Sequence, residues 1–216
     1  MTDTYNNIEK DPEPKQALTA PARRSGWAPT LRTDPLYVNR KTMERKGEFI
    51  QTYSGVAFYP LDPSLDDIYI GDIAHSLSMK CRYGGHTTKF YSVAEHSILV
   101  SELVPPQFAL WGLLHDAPEA YTADVPRPLK RMLAGWDEME ARIMDCVCER
   151  FGLDKGQPPQ VSLVDLAITS DEKDALMMPC EKEWEGLSYK IGAEIVGYNP
   201  DMAKHMFLKR FKELTE

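Results

Sequence analysis

Two histidines on either side of a double proline constrain this chain more than any other feature of it. Residues 92–130 read SVAEHSILVSELVPPQFALWGLLHDAPEAYTADVPRPLK. Ser92 and Glu95 form an S-x-x-E capping box, which predicts a helix starting at Ser92 with His96 in its first turn. Pro105 and Pro106 end that helix. A second apolar run, residues 108–114, carries His115 and Asp116 to its end. Two short helices joined by a tight corner can turn both imidazoles toward one point.

Adjacent helical residues point about 100° apart, so His115 and Asp116 can share an ion only if it sits between their directions. With His96 from the neighbouring helix, this makes a mixed nitrogen and oxygen donor set. Such a set suits a borderline divalent ion (Zn, Co, Mn or Fe) better than calcium. Glu119 lies on the face of His115 if the helix continues, and Asp124 follows; both can serve as acid and base beside the ion. Pro118 opposes a continued helix and places Glu119 at a helix end. Taken alone, a His-Asp pair reads more plainly as a satisfied buried pair or a C-terminal cap.

The pair has company. His96, then His115-Asp116, then Glu119 and Asp124 in HDxxExxxxD resemble the HD-domain phosphohydrolases, and the likeness spans residues 68–211. The run HDAPEAYTADVPRPLKRML is most similar to the bacterial 5′-deoxynucleotidases and their phage relatives, among them dATP triphosphohydrolases. The resemblance implies one further ligand, an aspartate opening a stretch like D-L-x-x-L-x-x-E-x-x-D-L-M. Of Asp165, Asp171 and Asp174, Asp165 fits through DLAITSDEKDALM, with Leu166 and Glu172 in step, whereas Asp171 has no such company. The implied centre is therefore one divalent ion (Co, Mn, Zn or Mg) on His96, His115, Asp116 and Asp165, with Glu119 and Asp124 catalytic. Arg82 and Tyr83 occupy the places where relatives contact phosphate and the sugar or base. A guanidinium suits phosphate because it offers paired donors and stays charged. The plainer reading of Arg82 is a surface salt bridge.

Around this stretch the chain reads as a mainly helical bundle with one small hairpin, all-α in class. Residues 1–47 are expected to be an N-terminal extension, partly flexible, because Pro, Asn, Thr and charge replace apolar periodicity in their first part. Residues 48–216 are expected to form the phosphohydrolase domain. EFIQTYSGVAFY predicts a short hairpin around Ser54-Gly55, and DIAHSLSM the first core helix. Gly84-Gly85 marks a loop in which His86 faces solvent. Arg127, Lys130 and Arg131 share a helical face near Asp124, where Lys130 is a candidate phosphate contact and a solvated face the alternative. WDEMEARIMDCVCERF is the clearest amphipathic helix, with Gly152 as its stop. Residues 161–178 carry Asp165 on another helix, and Asn199-Pro200 opens the last; His75 reads as a structural or surface residue and His205 as structural.

Composition narrows the function classes. No apolar run among the 216 residues is long enough to span a bilayer, and the first residues lack a signal peptide's apolar region. Four cysteines without C-x-x-C spacing suggest reduced thiols in a cytoplasm, a host's if the chain is phage-encoded. A net charge of −8 disfavours long nucleic acid, while a small anion needs only a local basic cluster. The resemblance implies hydrolysis of a deoxynucleotide to its nucleoside, with mono- and triphosphate substrates ranked together, in a homo-oligomer. A catalytically silent nucleotide-binding protein is the rival, disfavoured by the presence of Glu119 and Asp124. A two-metal oxygenase or cyclic-dinucleotide phosphodiesterase needs further histidine ligands, and His75, His86 and His205 lack that spacing.

Overall fold

The expected hairpin is present: β1 (Ile50–Gln51) pairs antiparallel with β2 (Ala57–Phe58), Ile50 opposite Phe58, with Ser54 and Gly55 in the turn. The computed structural model describes residues 44–187 and 189–216. The expected extension over residues 1–47 therefore lies almost wholly outside the described residues. Arg45–Glu216 group into one unit.

Among the described residues that unit is mostly helical. After the hairpin come α1 (Ile70–Met79), α2 (Val93–Leu103), α3 (Ala109–Leu114) and α4 (Arg127–Lys130). Then follow α5 (Trp136–Phe151), α6 (Pro159–Leu176) and α7 (Pro200–Thr215). No described helix is long and apolar enough to cross a membrane. The hairpin is tied down at its turn, where the Ser54 backbone N–H and hydroxyl donate to the two oxygens of Asp72 on α1 at 2.8 and 2.7 Å. Its other anchor is Phe58, fully buried and stacked on Tyr121 at 4.1 Å between ring centroids.

The helix boundaries follow local chemistry. Ser92 caps α2, its hydroxyl accepting from the Glu95 N–H at 3.1 Å. The reciprocal half of the expected capping box does not form. The Glu95 carboxylate instead accepts from the backbone N–H groups of Val196, Gly197 and Tyr198 at 3.0, 2.8 and 2.6 Å. Three donors from a distant loop outweigh one local donor. Asp171 on α6 does the same for Ile191, Gly192 and Ala193, at 3.0–3.1 Å to one oxygen. Asn199 caps α7 through the Met202 N–H, and Gly152 ends α5 with φ +69°. The helix expected over residues 161–178 begins at Pro159, as proline in a first turn allows, and stops at Leu176.

The core forms where α1, α2, α3, α5 and α7 meet, around Ile73, Leu77, Ile98, Leu113, Ile143 and Phe207. Burying each such side chain contributes about 1.5–3 kcal/mol. A second cluster joins α2 and α3 to α6 through Val100, Trp111, Val161 and Ile168. The helices bearing His96 and His115 approach very closely at Gly112. A Cβ there would lie 3.0 Å from Cα and 3.1 Å from N of Ser101 on α2, tighter than nine in ten real Cβ contacts and against backbone that cannot easily give. Gly112→Val should therefore push α3 off α2 and lower the unfolding free energy by about 1–3 kcal/mol, the usual cost of overpacking. Urea denaturation checks this; an unchanged midpoint would show that the two helices have slack.

Candidate metal centre

Helix ends and a short turn deliver His96, His115, Asp116 and Glu119, and the longer α6 adds Asp165. His96 sits in the first turn of α2, and His115 is the residue that ends α3. The helix stops there: Asp116 precedes a separate 3-10 turn, Ala117–Ala120, which contains Pro118 and Glu119. Glu119 thus reaches the site from that turn and not from a continued face of α3, because Pro118 offers no N–H to carry the helix on.

Ligand atoms of His96, His115 and Asp116 all lie within 4.8 Å of one another. Asp116 Oδ2 is 3.3 Å from His115 Nε2 and 3.9 Å from His96 Nε2. Asp165 on α6 brings Oδ1 to 3.0 Å from His96 Nε2. Asp171 and Asp174 are engaged elsewhere, the first by the 191–193 backbone and the second by Lys190 at the surface.

The other ring nitrogens fix the tautomers. His115 Nδ1 is 2.8 Å from the Gly112 carbonyl, which can only accept, so Nδ1 carries the proton. His96 Nδ1 is 2.6 Å from Oε1 of Glu172, with the same consequence. In the neutral rings both Nε2 atoms then carry the lone pair. Both are buried, and neither has an aligned hydrogen-bond partner among the described residues. Two unpartnered imidazole lone pairs facing two carboxylates fit a divalent cation. Asp116 and Asp165 keep 19% and 28% of their side-chain surface, so the centre opens to solvent on that side.

The carboxylates dominate the electrostatics of the site, favouring a proton on His96 that a divalent ion would displace. Burial and Arg82 oppose a charge on His96, but Glu172 and Asp165 outweigh them and raise it to about 9. Burial opposes the charge on Asp165, yet His96, His115 and Arg82 hold it well below the usual carboxylate range. Burial raises Glu119 well above its ordinary value, and the charges of Asp116 and Asp124 add to this. Asp124 is raised too, by burial first, with Arg82 opposing. Glu119 Oε2 and Asp124 Oδ2 are also buried without partners among the described residues. Lys80 donates to the Glu119 and Thr122 carbonyls and so braces this turn, while burial lowers it to about 8.

No family model matches the chain. It is 41% identical over 171 residues to YfdR of Escherichia coli (strain K12), a match covering 78% of this chain and 96% of that protein. The chain belongs to the YfdR family. A second relative, from Rhodobacter capsulatus, is 44% identical over 103 residues, covering 43% of this chain and 53% of its own length. Both are uncharacterized proteins, so the likeness carries kinship and no activity.

In this YfdR-family chain the remaining candidate residues fall out unevenly. Arg82 is no surface salt bridge. It is 9% exposed, with Nε 3.3 Å from Glu172 Oε2 and Nη1 3.5 Å from Asp116 Oδ2. Tyr83 beside it adopts φ +57°, a left-handed conformation uncommon for a side chain of this size. Its hydroxyl donates to Glu172, while its ring lies 5.6 Å from that of Trp184. Lys130 pairs with Glu140 of α5 at 2.7 Å, and Arg127 and Arg131 are exposed. His86 is exposed; so is His205, expected to be structural, because α7 turns that face outward. His75 stacks on Tyr53 at 3.7 Å.

Sequence reading gave Lys80 no place at the site, and read Glu172 only as part of the stretch opened by Asp165. Glu172 had a signal: it follows Asp165 by seven residues, about two helical turns, and so shares its face. Lys80 had none.

Proposed function

We propose that this YfdR-family protein is a metal-dependent phosphohydrolase of the HD type, converting deoxynucleotides to nucleosides. The observation that carries the reading is the pair of buried, unpartnered Nε2 atoms on His96 and His115, facing Asp116 and Asp165 with the Arg82 guanidinium alongside. His96, His115, Asp116 and Asp165 would hold one divalent ion. When bound, the ion supplies Lewis-acid polarisation of a phosphoryl oxygen and offsets the negative charge of the carboxylates.

The protein's own residues do the rest. Arg82 binds the phosphate through Nη1 and Nη2, since its Nε is committed to Glu172. Water forms a new bond to the α-phosphorus and the bond from phosphorus to the 5′ oxygen breaks. Glu119, which burial and its carboxylate neighbours keep inclined to hold a proton, gives that proton from Oε2 to the departing 5′ oxygen. Asp124 orients the water and takes up its proton. The products are nucleoside plus phosphate from a monophosphate, or nucleoside plus tripolyphosphate from a triphosphate.

The test is incubation with dAMP and dATP in the presence of Mn, Co, Zn or Mg, followed by chromatography of the nucleoside and analysis of the phosphate chain. Deoxyadenosine with orthophosphate or tripolyphosphate is expected. dADP or pyrophosphate as first product would place the attack elsewhere and refute the scheme. Tight nucleotide binding without turnover would favour a regulatory role instead.

A further inference from the structure

Glu172 is fully buried, and its acceptors are saturated by side chains. Oε1 takes the His96 Nδ1–H at 2.6 Å and the Tyr91 hydroxyl at 2.8 Å. Oε2 takes Arg82 Nε at 3.3 Å and the Tyr83 hydroxyl. Two other buried carboxylates behave differently: Glu95 and Asp171 accept only from backbone N–H groups and serve to hold a loop. The four donors to Glu172 include a candidate metal ligand and the candidate phosphate-binding guanidinium.

We propose that Glu172 is a positioning residue that fixes the tautomer of His96 with one oxygen and aims Arg82 with the other. Metal binding and phosphate binding then depend on a single buried carboxylate. This inference rests on the reading given under Proposed function. The geometry separates the two tasks. An acceptor at Nδ1 keeps the proton there and leaves the Nε2 lone pair for the ion. An acceptor at Nε leaves both terminal guanidinium nitrogens to face the open side of the site, where Nη1 already lies 3.5 Å from Asp116.

Glu172→Gln discriminates because an amide can serve only one of these tasks. With its NH2 toward His96, it donates to Nδ1 and drives the proton to Nε2, where it blocks metal ligation. With its NH2 toward Arg82, donor meets donor and the guanidinium loses its anchor. The full-length variant is titrated with Mn2+ by calorimetry, then, at saturating Mn2+, with inorganic phosphate. Mn2+ affinity is expected to fall by about 10–100-fold, as for other partners of metal-bound histidines. Phosphate affinity at saturating Mn2+ is expected to fall instead where the amide turns its NH2 to Arg82, and circular dichroism keeps its helical signature either way. A variant with a lower melting temperature but both constants unchanged would reduce Glu172 to a structural role and overturn the proposal.

Should the variant fail to fold, the wild-type protein still decides. Nitrogen-15 NMR of labelled histidine should show a slowly exchanging Nδ1–H on His96, and its absence overturns the assignment. A wild-type chain that binds no Mn2+ or other divalent ion defeats the metal reading itself. Wild-type binding matched by Glu172→Gln defeats this inference alone.

Discussion

His115→Ala should strip the protein of its divalent ion. Equilibrium dialysis against Mn2+ or Co2+, followed by elemental analysis, should find affinity reduced by more than about 100-fold, beyond the loss typical of partners that merely orient a ligand. The reason is geometric. His115 Nδ1 is committed to the Gly112 carbonyl, so its Nε2 can do little besides ligate, and it is buried with no other aligned partner among the described residues. Alanine also removes the nitrogen that lies 3.3 Å from Asp116 Oδ2. Only His96 then remains as a nitrogen donor beside Asp116 and Asp165, and hydrolysis should disappear with the ion. Asp171→Asn supplies the contrast: it weakens a loop anchor and should leave the ion in place. Wild-type affinity in His115→Ala would sink the metal centre.

Glu119→Gln should leave metal and nucleotide bound but lower kcat by about 10²–10⁴-fold, the usual contribution of a positioned acid or base. Its Oε2 is buried and unpartnered among the described residues, and glutamine fills the same volume without a proton to release. The neighbouring carboxylates that raise Glu119 are untouched by the change. Single-turnover kinetics with calorimetric binding separates the two effects. An unchanged kcat removes Glu119 from the mechanism, and a lost ion would make it a ligand instead.

Local rules made the frame of this site legible. Ser92, the Pro105-Pro106 pair, Gly152 and Asn199 act within a turn of themselves, so their helix ends could be read directly. The His96–His115 convergence followed from two such ends and a short corner. What escaped was the company the polar groups keep across long sequence separations. Glu95 looked like half of a capping box because its real partners lie a hundred residues away. On α6 the inner face runs from apolar Val161, Val164 and Ile168 to charged Asp171 and Glu172. A change of chemistry along one face erases the apolar stripe that periodicity detects, and hides a buried carboxylate among residues that read as solvated. The plainer reading of Arg82, a surface salt bridge, fails for the same reason: it depends on whether a carboxylate is buried beside the guanidinium.

The segment at 191–198 belongs to no helix or strand, yet it is pinned at two points a few residues apart, by Asp171 at one end and Glu95 at the other. Ordinary connecting segments gain and lose residues freely over evolutionary time. This one cannot, because one added residue between the anchors would pull three amides off either carboxylate and leave it buried with nothing to accept from. Glu95 stands next to His96 and Asp171 next to Glu172, which bonds His96, so a change of length here would be felt first at that histidine. In the lineage of this chain, the spacing from Ile191 to Tyr198 should be as invariant as the ligands themselves, whatever becomes of the side chains it carries.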